Sequence, residues 1–238
     1  MFSNEVTMHW LRGIPAETPR SDKTHVVIDT SLGEDREVSL LRVRNGPTIL
    51  RLTPELARAL SLTELDTIPS TAVAGRIADA GIVLNDPDHL FYLAPAARDE
   101  LRVQPPRIGT RRLTLDDRRA FDRFVDDAPA PDLDEAFVEL DHWLVFGTFD
   151  NGRLVAAASM YPWHGSHLAD LGVITLPAAR ARGFARATIR AMSAYAIELG
   201  YEPQYRCQLD NLPSVALARA AGFTLFGDWE VAIDEPSS

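Results

Sequence analysis

From Asp170 the chain reads Asp-Leu-Gly-Val-Ile-Thr-Leu-Pro-Ala-Ala-Arg-Ala-Arg-Gly-Phe-Ala, followed by a long alanine-rich run to Leu199. Leu171 to Leu176 reads as a short apolar strand, Pro177 ends it, and Ala178 to Gly183 reads as a basic loop that opens a helix. Such a helix points unpaired backbone N–H groups and the positive end of its dipole at whatever lies over the loop, and Gly183 and Ala185 leave room for close approach. Arg180, Arg182, Arg186 and Arg190 concentrate positive charge in this segment, although the chain carries a formal net charge of −10. The chemistry that fits is the binding of a phosphate or pyrophosphate.

The hexapeptide Arg180-Ala-Arg-Gly183-Phe-Ala185, three residues after Pro177, resembles the cofactor signature of the GNAT superfamily of acyl-coenzyme A-dependent N-acyltransferases. That signature is Arg or Gln, two residues, Gly, one residue, then Gly or Ala. A second stretch, Gln204-Tyr-Arg-Cys-Gln-Leu-Asp-Asn211-Leu-Pro-Ser214-Val-Ala-Leu-Ala-Arg-Ala-Ala-Gly222-Phe223, resembles the other family signature, in family order and spacing. The resemblance implies acetyl-CoA as acyl donor. Backbone N–H groups of Arg182, Gly183, Phe184 and Ala185 would hold its pyrophosphate beside Arg180. The backbone of Ile174, Thr175 and Leu176 would pair with its pantetheine arm like an added strand. A backbone N–H late in that strand, at Ile174 or Thr175, would polarise the thioester carbonyl. Asn211 would contact the pantetheine arm, or simply cap the following helix.

Acyl transfer to an amine also needs a proton acceptor and an acceptor pocket. Asp170 heads the ligand-holding strand, where many family members carry a carboxylate. It is the candidate general base, with a plain strand-end aspartate as the alternative. Glu139, Asp141 and His142 precede a hairpin and Tyr161, Trp163, His164 and His167 follow it, so both groups can line the acceptor side. His142 and His164 have the side chain whose ordinary pKa suits a base. The pair His164 and His167 lacks further ligands, so no metal is expected. The family's tyrosine acid would follow Leu217, but Ala218 stands there, so no tyrosine can be assigned to protonating the departing thiolate.

The elements that must position these groups follow from the pattern of apolar residues and breakers. Residues 1–24 read as an N-terminal arm, loosely docked. Residues 25–104 read as a smaller α/β domain. Its strands run at Val26–Asp29, Val38–Val43, Thr48–Leu52 and Asp88–Leu93, with a turn at Arg44–Pro47 and helices from Thr53-Pro54 and from about Ser70 to Ala80, where Gly81 stops the second. Pro105-Pro106 marks the boundary. Residues 107–234 then give a strand near Thr110, a capped helix from Thr114 and a second helix from about Asp132 that carries Glu135, Phe137, Val138 and Leu140. There follow a hairpin with Asn151-Gly152 at its tip, the ligand strand, a helix from Gly183 to Leu199, a strand from Gln204, a helix to Ala221 and a final strand from Phe223 to Ile233. The expected fold is therefore α/β (α+β): a GNAT-type mixed, mostly antiparallel sheet flanked by helices, beside the smaller N-terminal domain. That domain matches no motif, which leaves a lid, a dimerisation unit giving a homodimer, or a degenerate half-copy as its role.

Composition excludes several partners. The acidic balance opposes nucleic acid and anionic membrane binding. No apolar run is long enough to span a bilayer and the N-terminal residues lack a secretory pattern, so the expected location is cytoplasmic. Cys207, the single cysteine, alternates with Tyr205 and Leu209 as a buried strand residue would. The resulting expectation is an N-acetyltransferase acting on a primary amine of a small molecule or peptide. The alternative is a coenzyme A-binding sensor or interaction module of weak or no turnover. A Rossmann-type nucleotide site fits less well, because the first glycine pair of that fingerprint is absent.

Overall fold

The computed structural model describes residues 2–15, 18–33, 37–64, 66–163 and 165–232. They divide into two compact units, one of residues 2–9, 91–206 and 211–224, the other of residues 10–90, 207–210 and 225–232. The division differs from a single cut at Pro105-Pro106. Those prolines follow a helix the sequence reading did not foresee, α4 (Pro95–Val103), which groups with the C-terminal fold.

In chain order, α1 (Asn4–Trp10) opens the molecule. The N-terminal unit then holds β1 (Lys23–Ile28), β2 (Val38–Val43), β3 (Thr48–Leu52), α2 (Pro54–Ala59), β4 (Thr67–Pro69) and α3 (Ser70–Asp79). Its strands run β4-β1-β3-β2 and end on β11 (Phe223–Val231), with β1 and β3 parallel and the other pairs antiparallel. Val26, Leu40, Leu50, Leu52 and Ile68 pack with Val73 and Ile77 of α3. The buried Arg51 of β3 donates to the carbonyls of Trp10 at 2.9 Å and Arg12 at 2.8 Å, and Trp10 packs edge-on against Trp229 at 5.7 Å.

The other unit is built on β6 (Thr110–Arg112), β7 (Leu144–Asp150), β8 (Arg153–Pro162), β9 (Leu168–Thr175) and β10 (Glu202–Gln208), ordered β6-β7-β8-β9-β10 and continued by β5 (Asp88–Leu93). The β6, β7, β8 and β9 pairs are antiparallel, and β9 and β10 are parallel. At the β7–β8 turn Asn151 and Gly152 take φ of 50° and 78°, as the sequence predicts for a two-residue hairpin loop. Helices α5 (Arg118–Asp127) and α6 (Ala130–Ala136) lie against β8 and β9, and α7 (Phe184–Glu198) lies against β7 and β8. Phe121, Phe124, Val145, Val155 and Ile174 fill the core together with Phe184. Helix α8 (Leu212–Ala221) precedes β11.

One element departs from expectation in a way that matters for the site. Helix α6 stops before the predicted Val138 and Leu140, because Phe137 turns into the left-handed region at φ 47° and its N–H closes on the Leu133 carbonyl at 3.2 Å. Glu139 therefore lies on a loop, not on a helix face. Among the described residues no helix is long and apolar enough to cross a membrane.

Candidate active site

The site begins where two strands part. β10 pairs with β9 only from Leu168 to Leu171, whereas β8 follows β9 from Ala169 to Thr175. Beyond Leu171, no strand among the described residues covers the side of β9 that faced β10.

The phase of the β8–β9 ladder identifies the exposed amides. Trp163 donates to the Leu168 carbonyl at 2.7 Å at one end, and Leu176 donates to the Val155 carbonyl at 3.0 Å at the other. Hydrogen-bonded and non-bonded pairs alternate between those ends. Gly172 and Ile174 thus turn their backbone groups toward β8, while Val173 and Thr175 turn theirs to the open side. This corrects the strand donors expected from sequence. Leu176 is excluded, since its N–H is on Val155 and its carbonyl accepts from Ala179 at 2.8 Å. Ile174 points the wrong way and its side chain fills the core. The N–H groups of Val173 and Thr175 face the open edge, while the Thr175 carbonyl accepts from Arg180 Nε at 3.4 Å. Thr175 also leaves its Oγ1 buried with no hydrogen-bond partner, a polar atom facing nothing the protein supplies.

The loop after β9 carries the basic residues. A short 3-10 turn at Pro177–Ala179 leads to Ala181 and Gly183, both left-handed at φ 59° and 77°, and Gly183 is the N-cap of α7 with no side-chain cap. The first helical bond of α7 runs from Ala187 N–H to the Gly183 carbonyl at 3.1 Å. The N–H groups of Phe184, Ala185 and Arg186 therefore have no intrahelical partner. Arg180 is paired with Asp132, and Arg182 with Asp150 at 3.0 Å. Arg107 donates to the Arg182 carbonyl at 3.0 Å, and the Arg107 and Arg182 guanidinium groups lie 4.4 and 4.7 Å from the Phe184 ring centre. Beside Gly183 a cavity of about 490 Å³ is lined by Arg102, Arg107 and Arg186 among others.

Two residues named from sequence have partners within the fold. Arg190, counted with the loop charges from sequence, is buried and bonds the Ala221 carbonyl at 2.9 Å and Glu100 at 2.8 Å. Asn211 caps α8 by accepting from the Ser214 N–H at 3.1 Å, and its amide N–H donates to Glu135. The capping role of Asn211 is the one the structure displays.

On the face of β9 shared by Asp170 and Gly172 the chain assembles a polar wall. Asp170 is 4 % exposed. Its Oδ1 accepts from Gln204 Nε2 at 2.9 Å, and its Oδ2 from Arg206 at 3.2 Å and Tyr161 at 3.3 Å. Tyr92 donates in turn to Gln204 Oε1. Burial, and then the charge of Asp170, push the Tyr161 phenol above its ordinary pKa. Trp163 is buried under the Arg206 guanidinium, 4.9 Å from its ring centre. Gln204 and Arg206 were not singled out from sequence. The available signal was their period-two spacing on the strand beside Asp170.

Next to this wall stands His142. Its Nδ1 lies 2.8 Å from Ser159 Oγ, its Nε2 lies 3.6 Å from Glu139 Oε2, and its ring is 5.0 Å from Phe137 and 5.2 Å from Tyr161. Burial holds its pKa below the ordinary 6.5, against the opposite pull of Glu139 and Asp141. Glu139, His142, Tyr161, Trp163 and Asp170 thus lie in one region. His164 lies outside the described residues. His167 stands apart, stacked on Tyr201 at 5.3 Å with Nδ1 3.3 Å from the Gly200 carbonyl.

From Phe137 and Glu139 a groove of about 830 Å³ runs between α5 and α6. Asp122, Asp126, Asp134, Glu139 and Asp141 line it against a single cation, Arg118, over an apolar floor that includes Phe121 and Leu133.

An uncovered strand edge followed by an uncapped helix start is the arrangement on which the sequence comparison bears. Residues 114–223 match the model of the acetyltransferase (GNAT) family. Residues 114–223 form a GNAT acetyltransferase domain. Among solved structures, an acetyltransferase of the GNAT family from Colwellia psychrerythraea is 16% identical, with a TM-score of 0.51, over 78% of this chain and 76% of that one. A GCN5-related N-acetyltransferase from Kribbella flavida is 15% identical, with a TM-score of 0.47, over 69% and 65%. The first of these shows the fold: mixed α/β, with a mostly antiparallel sheet flanked by helices. No curated protein matches the sequence. The GNAT domain and its fold support acyl transfer.

Proposed function

We propose that the chain is an N-acetyltransferase that moves an acetyl group from acetyl-CoA to the primary amine of a cationic small molecule or peptide. The observation that carries this reading is the parting of β9 and β10 beside Val173 and Thr175, a few residues before the uncapped start of α7.

The residues present fit acetyl-CoA. An extended amide arm can add itself to the open edge of β9 through the Val173 and Thr175 main chain, next to the orphaned Thr175 hydroxyl. A diphosphate can take the free N–H groups at the start of α7, with Gly183 leaving room and Arg107, Arg182 and Arg186 adding charge. When bound, acetyl-CoA supplies an activated thioester.

The acceptor side supports a cationic substrate. An ammonium entering the α5–α6 groove meets five carboxylates and one guanidinium, and one of those carboxylates, Glu139, lies 3.6 Å from His142 Nε2. The aromatic rings of Phe137 and Tyr161 stand beside His142, where they can hold the substrate's carbon skeleton and contribute cation–π attraction.

A second reading, a coenzyme A-binding module without turnover, is favoured by Ala218, which is fully buried on α8 and offers no proton donor. Both readings require acetyl-CoA binding, measured by calorimetry. Release of free coenzyme A thiol over a panel of mono- and polyamines separates them: amine-dependent release is the enzyme's result, and binding without release with any amine overturns the enzyme.

A further inference from the structure

The identity of the proton acceptor rests on the acetyl-transfer reading above and deepens it. Asp170, the base expected from sequence, has both carboxylate oxygens engaged by Gln204, Arg206 and Tyr161 inside the sheet wall. Three of its acceptor sites are taken and the side chain is buried, so an ammonium would have to compete with those donors for it. His142 is placed differently. Ser159, which holds its Nδ1, stands opposite Gly172 in the β8–β9 register, and Gly172 directly precedes Val173, the first amide on the open edge of β9. The imidazole is thus fixed one residue from the point where the strands part. Its Nε2 faces the Glu139 carboxylate at 3.6 Å, too far for a hydrogen bond.

We propose that His142 is the catalytic residue that takes the proton of the acceptor ammonium, that Ser159 positions it by accepting the Nδ1–H and so leaving the Nε2 lone pair free, and that Asp170 is a positioning residue for Tyr161 and Arg206.

In the step, the ammonium held by Glu139 gives one proton to Nε2, which later passes to solvent. The amine lone pair forms the C–N bond to the thioester carbonyl carbon. The C–S electron pair leaves with sulfur, and a second proton from the nitrogen ends on that sulfur. One ammonium and one thioester give one amide, one thiol and one released proton. Burial suits the task, because it keeps the imidazole neutral at pH 7. The charged and titratable groups around it are Glu139 and Asp141 on its own loop, Tyr161 on β8, Asp170 on β9 and Arg206 on β10.

The test is the pH dependence of amine-dependent thiol release by the full chain, with the acetyl-CoA Kd followed in parallel. For the wild type, kcat/KM should rise with pH along a limb whose midpoint lies below 6.5. His142→Gln should lose that limb and about 10²-fold or more in kcat/KM, with the acetyl-CoA Kd unchanged. Trifluoroethylamine, a weakly basic amine that arrives neutral, should recover most of the loss. Ser159→Ala should keep the limb with a smaller fall in rate, and Asp170→Asn should keep the limb whatever its rate. A His142→Gln protein that folds and retains the limb, or an Asp170→Asn protein that loses it, overturns the assignment alone. Wild-type protein that binds acetyl-CoA yet releases thiol with no amine overturns the acetyl-transfer reading and this assignment together.

Discussion

The carbonyl of Ala136 lies against Gly172 so closely that a Cβ on Gly172 would come within 1.8 Å of its oxygen. This contact fixes the end of α6 on β9 at the first residue past the β9–β10 pairing, so the α5–α6 groove and the open strand edge share one anchor. A methyl group there must push α6 off the sheet, since the obstacle is backbone rather than a flexible side chain. Gly172→Ala is expected to destabilise the protein by about 1–3 kcal/mol, the usual range for overpacking, and to raise the KM for the amine more than the Kd for acetyl-CoA. A denaturant midpoint and an amine KM both equal to the wild type's would show that α6 is not held this way.

Gly183 presents the opposite case, because a Cβ there meets nothing nearer than Arg107 Nη1 at 3.9 Å. The constraint is φ 77°, and a side chain in that region costs on the order of 1 kcal/mol. Gly183→Ala should therefore lose about that much stability and keep acetyl-CoA binding within a few fold. Gly183→Asp should show the same loss of stability and, by setting a carboxylate against the diphosphate, weaken acetyl-CoA by roughly tenfold or more. Calorimetry on the pair separates strain from charge, and equal Kd values for the two variants would remove the diphosphate from this loop.

Much of this was legible in the sequence where local chemistry decides the outcome. Pro177 ending a strand, Gly183 opening a helix, Asn151-Gly152 turning a hairpin and Thr53-Pro54 starting α2 each follow from the backbone preferences of the residues named. The ladder phase was not legible. A shift of one residue in the β8–β9 pairing would exchange Ile174 for Thr175 on the open edge, and nothing in either strand's composition sets that register. Phe137 ending α6 was missed for a similar reason, since a left-handed phenylalanine is set by its packing against His142 and Tyr161 and not by propensity. Asp170 was found as a residue, but its partners Gln204 and Arg206 lie more than thirty positions away on a strand brought beside it only by the fold.

If the acceptor passes along the α5–α6 groove, as proposed, the carboxylates there should act on it at long range. Asp122 and Asp126 are two of the five carboxylates that face the groove against the one guanidinium of Arg118. Replacing both by lysine should raise the KM for a polyamine by roughly fivefold to thirtyfold at low salt, from about 0.5–1 kcal/mol per replaced residue, while the acetyl-CoA KM stays put. The difference between variant and wild type should shrink as ionic strength rises and the Debye length falls below the groove's dimensions. A neutral amine such as trifluoroethylamine should not distinguish the two proteins. A KM for polyamine unaffected by the double replacement would mean that the acceptor does not pass along the groove.

The N-terminal unit offers a pH-dependent test that is independent of the reaction. Burial pushes the Asp29 carboxyl up, but the hydroxyl and N–H of Ser31 and the guanidinium of Arg12 outweigh it and hold the group at about 2, below the ordinary 3.8. Asp29 accepts from Ser31 Oγ at 2.6 Å and from Arg12 at 2.8 Å, and pairs with the buried Arg51 at 3.3 Å, the residue that also grips the Trp10 and Arg12 carbonyls. A depressed folded-state pKa means that the unfolded chain binds the proton more readily. The carboxylate's contribution is therefore complete above the unfolded value and lost as pH falls through the window from about 4 to about 2. It amounts to about 2 kcal/mol, the shift taken at 1.36 kcal/mol per unit. Asp29→Asn should lower the unfolding free energy by at least that much at pH 7, since Arg51 is left buried without its counter-ion. Urea titrations at successive pH values should show the gap between variant and wild type narrowing below pH 4. A gap that stays constant from pH 7 down to pH 2.5 would show that the Asp29 charge does not hold this segment in place.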